Sequence, residues 1–308
     1  MSVGVLNMWG ERVGAQIAAA VPDVDVIAVD SEVPDDLRGE ALFAAWLGHP
    51  IFERLDDLGV RWMHLPGTGI DGWPRDLLAS RAVTCSRGVS GTPIAEFVVA
   101  TMLAFEKRIP EVWLSEPPEH WNIDRLGELS GKTLGLVGLG GIGVEIARRA
   151  LAFEMEVVAL RRTEAPSPIA SVEVAPDLGA VLARADHLVL AAPATSRTRH
   201  LLDADAFASV KPGVHLVNIA RGSLVDQDAL RAALDDDRVA LASLDCVESE
   251  PVPEGHWLYG HPKVRLSAHV SWSSPRAFER IIESFVANLR RYLAGEPLVG
   301  IVDLDEGY

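Results

Sequence analysis

The chain has 308 residues, 48% of them hydrophobic, and carries 28 Lys+Arg against 44 Asp+Glu for a formal charge of -16. That length suits two domains rather than one, and the composition supplies a substantial core. A surface this acidic repels phosphate polymers and anionic membranes, so neither nucleic acid nor a membrane is expected as a partner, and a small anionic substrate requires cations gathered locally.

Residues 1–10 hold no basic stretch ahead of an apolar one, and no apolar run approaches about 18 residues. Neither a targeting nor a spanning segment is expected, and the chain is placed in the cytoplasm. The two cysteines, Cys85 and Cys246, give no disulfide framework and no zinc spacing. They read as reduced thiols, and no resident metal is expected.

Residues 3–6 read as a buried strand, 11–21 as a helix with an alanine-rich face, and 24–29 as a second strand. A third strand, 61–65, ends in Pro66-Gly67-Thr68-Gly69-Ile70-Asp71. Strands alternating with helices imply a parallel sheet with covered faces, and ligands of such sheets lie at the carboxyl ends of the strands. A long apolar helix follows over 93–109, with Thr92 as N-cap and Pro93 at the first helical position. Residues 110–121 hold three prolines together with Trp113 and Trp121. This segment reads as an arm that packs either on a partner surface or on its own chain.

A second series begins at Leu129-Ser130-Gly131-Lys132. Its strands are expected at 133–137, 156–160, 187–192, 214–219, 239–244 and 264–267, with helices at 141–152 and 178–184. An amphipathic helix over 275–293 returns to the first unit. The expected fold is α/β with two doubly wound parallel-sheet domains. A Rossmann cofactor domain (92–274) is inserted in a flavodoxin-like substrate domain (1–91 and 275–308).

Gly138-Leu139-Gly140-Gly141-Ile142-Gly143 fits G-x-G-x-x-G, follows an apolar strand and opens a helix, the context that gives the pattern its value. Gly138 permits the tight turn, Gly140 lets a pyrophosphate approach, and Gly143 lets helix and strand pack closely. The helix start offers unpaired N–H groups to the phosphates. The next strand ends in Leu160-Arg161-Arg162-Thr163, with no carboxylate for a ribose 2′-hydroxyl. An arginine fork there holds a 2′-phosphate, so NADP(H) is preferred, with NAD(H) as the second option. The alternative is that both arginines cap a strand in solvent.

Three further segments each follow a predicted strand: Asn218-Ile219-Ala220-Arg221-Gly222, then Asp245-Cys246-Val247-Glu248-Ser249-Glu250-Pro251, then Ser267-Ala268-His269-Val270. A doubly wound sheet brings Arg221, Glu250 and His269 to one edge. These types suit 2-oxo acid reduction. Arg221 pairs with a substrate carboxylate, His269 donates a proton to the oxygen, and Glu250 fixes the imidazole tautomer.

Here the chain resembles the D-isomer-specific 2-hydroxyacid dehydrogenases. The likeness runs over residues 129–133 and 138–143, Ala192-Pro193-Ala194-Thr195, Lys211-Pro212-Gly213, and residues 217–226, 244–251 and 266–269. The resemblance implies that Arg221, Glu250 and His269 are the catalytic set, with Glu250 chosen over Glu248 because Pro251 follows it. It also implies that Thr68 and Gly69 offer N–H groups to the substrate carboxylate and that Asp245 binds the carboxamide of the cofactor. Pro193, Thr198 and Ala220 join the cofactor contacts, and the arm at 110–121 makes a homodimer. Among the family's short members the chain is most similar to the glyoxylate/hydroxypyruvate reductases. It departs from the pattern at Gly141, Ala268 and Trp272, and in lacking the acid that marks NAD members. The other eight histidines, Arg276 and the run Asp235-Asp236-Asp237 read as structural or surface groups. Other functions on this fold are a dinucleotide-sensing binding protein, which the intact Arg-Glu-His set argues against, or an enzyme using formate or phosphite.

Overall fold

The computed structural model describes residues 3–163 and 165–308. Met1, Ser2 and Glu164 lie outside the described residues, and the first two belong to the N-terminal stretch read above for a targeting segment. Contacts divide the chain into two units, one running to Ser90 and resuming over Ser274–Tyr308, the other Gly91–Ser273. The expected boundaries, after 91 and after 274, fall one residue later. Among the described residues no helix is long and apolar enough to cross a membrane.

The first unit is built on five parallel strands: β1 (Val3–Asn7), β2 (Val24–Ala28), β3 (Ala41–Phe43), β4 (Trp62–Leu65) and β5 (Ala82–Cys85). They are ordered β2-β1-β3-β4-β5, the doubly wound arrangement with its reversal between β1 and β3. The closing helix, Ala277–Ala294, turns Ile281, Phe285 and Leu289 inward at four-residue spacing. Phe285 stacks on Phe43 (4.5 Å between centroids) and on Trp62 (5.3 Å). Burying a side chain of that size contributes about 1.5–3 kcal/mol. Gly295 ends the helix in the left-handed region, at φ 67°.

The second unit contains β6 (Thr133–Val137), β7 (Glu156–Leu160), β8 (Val172–Val174), β9 (His187–Leu190), β10 (Val214–Asn218), β11 (Val239–Leu244) and β12 (Val264–Leu266). All pair in parallel in the order β12-β11-β10-β9-β6-β7-β8, which reverses between β6 and β9. One register row crosses the sheet: Leu160, Val137, Leu190, Asn218, Leu244 and Leu266 are successive partners. Each segment singled out above in this unit for chemistry therefore leaves the sheet at the same carboxyl edge.

Several local expectations need correction. The long helix runs Gly91–Glu106, so Thr92 lies in its first turn and is not the N-cap. Pro93 does not fix the start, because no N–H in the first turn needs a helical partner. The helix stops three residues early, where Arg108 turns left-handed at φ 51°. Strands β3, β5 and β8 were not anticipated. The arm at 110–121 contains neither strand nor helix, and Trp113 and Trp121 are 70% and 72% exposed. Packing of these indoles on their own chain is thereby overturned. Glu111, near the base of the arm, accepts a hydrogen bond from Arg265 just inside β12 (3.1 Å).

Candidate active site

The glycine turn follows β6, where the strand order reverses. Gly138 has φ 105°, and a Cβ there would lie 2.7 Å from the Ala191 carbonyl carbon. A Cβ on Gly143 would overlap the Gly138 carbonyl oxygen, so helix and turn close only on a glycine. At Gly140 the opposite holds, since an added Cβ meets nothing within 4 Å. The Gly141–Ala152 helix that starts there has no side-chain cap. Its first N–H groups and positive dipole end are left for an anion, and Gly141, Ile142 and Gly143 supply them. These features fit the pyrophosphate of a dinucleotide.

Beside the turn, Arg161 leaves β7 and donates through Nη1 to the carbonyls of Ala165 (3.1 Å) and Pro166 (2.6 Å). The guanidinium thus shapes the loop it stands on, with Arg162 and Thr163 exposed next to it. After β9, Thr198 donates its hydroxyl to the Pro193 carbonyl (2.7 Å) and accepts from the Thr195 N–H (2.8 Å). These bonds close the loop that carries both predicted cofactor contacts.

The catalytic candidates leave three neighbouring strands. His269 Nδ1 lies 2.8 Å from Glu250 Oε2, and Glu250 Oε1 accepts the Val247 N–H at 3.0 Å. Both side chains are partly exposed, 37% for the histidine and 38% for the carboxylate. Because a carboxylate only accepts, the proton of the neutral imidazole sits on Nδ1, and Nε2 is the exchangeable position. Glu248, two residues earlier, pairs instead with Arg199 (3.3 Å) and His200 (3.5 Å). Arg221 follows β10 and donates through Nη1 to the Ala220 carbonyl at 2.7 Å. Thr68 and Gly69 belong to the first unit, in the loop at the carboxyl end of β4.

His269 itself is strained, with φ 53°, a region that costs a non-glycine residue roughly 1–2 kcal/mol. Asp245 holds it there. Its carbonyl accepts the His269 N–H (3.0 Å), and its carboxylate accepts from Val270 N (2.9 Å), Ser271 N (2.9 Å) and the Ser267 hydroxyl (2.6 Å). Burial pushes this carboxyl's pKa upward, but the Ser267 and Ser271 hydrogen bonds outweigh it and hold the value below the usual range. The structure thus gives Asp245 a use beyond the one the resemblance implies, as the clamp of the histidine loop. Trp272 adds a further tie, its indole N–H donating to the His269 carbonyl at 3.0 Å.

Asn218, at the end of β10, is a functional residue that motif and spacing do not mark. It is 1% exposed. Its amide donates to the carbonyls of Arg221 (3.0 Å) and Cys246 (3.2 Å), and its oxygen accepts the Ala220 N–H (3.0 Å). One side chain therefore joins the loop of Arg221 to the loop of Glu250. The available signal was an amide ending a strand that is apolar but for His215. A cavity of about 420 Å³ lies within this unit beside the dyad, bordered by Glu250, His269, Pro251, Tyr259 and Leu266.

A nucleotide-type turn and an acid–base pair on one edge of a doubly wound sheet define a dehydrogenase-type α/β architecture. Residues 99–271 match the NAD binding domain of the D-isomer specific 2-hydroxyacid dehydrogenases, and the chain belongs to that family. A glyoxylate reductase of Thermofilum pendens is 35% identical over 223 residues, 70% of this chain and 66% of that protein. A D-3-phosphoglycerate dehydrogenase of Bacillus subtilis is 33% identical over 249 residues, 77% of this chain. The chain spans just under half of that longer relative, 46%. A D-isomer specific 2-hydroxyacid dehydrogenase from Xanthobacter autotrophicus, solved with NADPH and MES, is 27% identical and covers all of both chains with a TM-score of 0.85.

Proposed function

We propose that this protein is a cytoplasmic, NADP(H)-dependent reductase of small 2-oxo acids, forming D-2-hydroxy acids, with glyoxylate and hydroxypyruvate as the first substrates to try. The observation that carries the reading is the 2.8 Å bond between His269 and Glu250 on the strand edge that also bears Arg221 and the Gly138 turn.

The cofactor seat comprises Gly138, Gly140, Gly141, Ile142 and Gly143 for the pyrophosphate, with Pro193, Thr198, Ala220 and Asp245 along the rest. Arg161, Arg162 and Thr163 are assigned to the ribose phosphate. NADP(H) is favoured by the absence of an acid at the three positions directly after Leu160 and by the NADPH bound in the Xanthobacter relative. A nicotinamide held there supplies or takes up the hydride. The chain's own residues do the rest. Arg221 pairs with the substrate carboxylate and polarises the ketone. His269 gives a proton from Nε2 to the substrate oxygen during reduction and takes it back in the reverse direction. Glu250 holds Nδ1, so the ring presents the correct nitrogen. Acid catalysis of this kind contributes about 10²–10⁴-fold.

The active form is a homodimer joined through the arm, because two bare indoles, with Leu114 and Ile123 58% and 67% exposed, leave apolar surface on and beside the arm that water disfavours. The test is a panel of 2-oxo acids assayed with NADPH and NADH side by side, together with sedimentation of the purified protein. Consumption of NADPH in the presence of glyoxylate or hydroxypyruvate is expected. A protein inert to the whole panel with both cofactors overturns the reading, and a monomer at micromolar concentration overturns the dimer.

A further inference from the structure

One side chain next to the dyad has no part in the proposed reaction. Cys246 follows Asp245, forms no disulfide, and is 1% exposed. Its Sγ, a carboxylate oxygen of Glu250 and a ring nitrogen of His269 all lie within 4.8 Å of one another. Among the described residues this is the one group of three such ligands so placed. The spacing 246, 250 and 269 matches no zinc pattern, which is why the sequence raised no metal.

We propose that Cys246, Glu250 and His269 form an inhibitory site for a thiophilic divalent cation, zinc in the first instance. Thiolate, imidazole and carboxylate are the three donor types zinc prefers, and three protein ligands leave a fourth position for water. Tetrahedral zinc, with bonds of about 2.0–2.3 Å, holds its ligand atoms about 3.3–3.6 Å apart. From separations of up to 4.8 Å the group therefore contracts by up to about 1.2 Å on the sulfur side. The Glu250–His269 pair must also open from 2.8 Å. The backbone around the ligands is already braced. Asn218 holds the Cys246 carbonyl at 3.2 Å, and Val247 N–H holds the second Glu250 oxygen at 3.0 Å. Such supporting bonds orient ligands and raise affinity. Glu250 and His269 are partly exposed and border the cavity of about 420 Å³, so the cation meets these two ligands from solvent first and the buried sulfur only as the group contracts.

On binding, the thiol proton passes to solvent and the neutral imidazole keeps its single proton on the nitrogen left uncoordinated. No electron is transferred. Either ring nitrogen leads to inhibition. At Nδ1 the cation replaces the proton that Glu250 holds, and at Nε2 it takes the lone pair that exchanges with substrate. Inhibition thus rests on the catalytic reading of His269, whereas cation binding does not.

The experiment titrates the cofactor-free protein with cobalt(II) under reducing conditions, then with zinc. One equivalent is expected to raise a near-ultraviolet thiolate-to-cobalt charge-transfer band, which zinc, the tighter binder of the two, removes. The band should survive Cys85→Ser and vanish in Cys246→Ser, with Cys246→Val as the second variant if the serine protein fails to fold. In the reductase assay, zinc should inhibit reversibly on chelation. Cys246→Ser should raise the half-inhibiting concentration by about 100-fold or more, beyond what loss of a merely supporting partner costs. Absence of the band, or equal zinc sensitivity in wild type and both variants, overturns the site. A band in a protein inert to the substrate panel upholds the cation site and overturns the enzymatic reading. Turnover without the band does the reverse.

Discussion

Asp245→Asn isolates the clamp on the histidine loop. The carboxylate accepts three hydrogen bonds, from Ser267 Oγ, Val270 N and Ser271 N, the last on a residue 5% exposed. The amide can still accept the first two through its oxygen, but its NH2 then faces the Ser271 N–H. A buried donor left unpaired costs about 1–3 kcal/mol, and the two remaining bonds fall from charge-assisted to neutral strength. The charged group's burial penalty is relieved at the same time, so the net loss is about 2–4 kcal/mol. This is comparable to or larger than the roughly 1–2 kcal/mol that holds His269 left-handed, so the loop is expected to relax. If the productive loop conformation is depleted by that amount, kcat/KM falls by roughly 30- to 1,000-fold. Steady-state kinetics at saturating cofactor measures this. Amide exchange of Val270 and Ser271 in the cofactor-free protein separates the clamp from a carboxamide contact. Wild-type protection at those two amides, with kcat/KM within threefold of wild type, would refute the reasoning.

Three further outcomes are expected. His269→Gln should lower kcat by about 10²–10⁴-fold while leaving cofactor affinity near wild type, and calorimetry showing weak cofactor binding would assign the histidine a structural role. Arg161→Asp should raise the KM for NADPH far more than that for NADH, and equal effects on both would exclude a phosphate contact. Acid should destabilise the fold below pH 6.5. Burial pushes the His64 pKa down to about 3, and burial followed by the charges of His187 and Arg265 lowers His215 well below its usual value. In that window the unfolded chain binds protons that the folded chain refuses, so stability falls by about 1.4 kcal/mol per pH unit for each of these two histidines. Urea melts at pH 7, 6 and 5 should show this slope, and His64→Gln should remove about half of it.

What could be read from the sequence was whatever is written within one short stretch. The Gly138–Gly143 turn carries its own reasons in a positive φ and a close approach, both properties of single residues. Mostly apolar strands of five or six residues, such as Thr133–Val137 and Val239–Leu244, announce themselves by composition, whereas Ala41–Phe43 and Val172–Val174 have three residues each, too few for a periodicity. Position along the chain also placed Arg221, Glu250 and His269 just past strand ends. It could not supply the register, because the partners of Asn218 and Leu244 are chosen by contacts across the sheet. Exposure of Trp113 and Trp121 was likewise beyond composition, since a tryptophan between prolines reads the same whether it is covered or bare.

The polar groups beneath the site show why strand ends deserve a separate reading. Asn218 ends and Asp245 directly follows a buried, mostly apolar strand, where a desolvated amide or carboxylate is costly unless its partners are supplied. Both are fully engaged, and every partner lies on a loop that carries a catalytic candidate. Asn218 joins the Arg221 loop to the Cys246 carbonyl, and Asp245 holds the loop of His269 from both its carbonyl and its carboxylate. A parallel sheet delivers its loops to one edge but leaves their mutual geometry loose. Here two buried polar side chains at the ends of adjacent strands fix that geometry, so an unexplained polar residue at the end of a mostly apolar strand points to the loop beside it as the place where chemistry is organised.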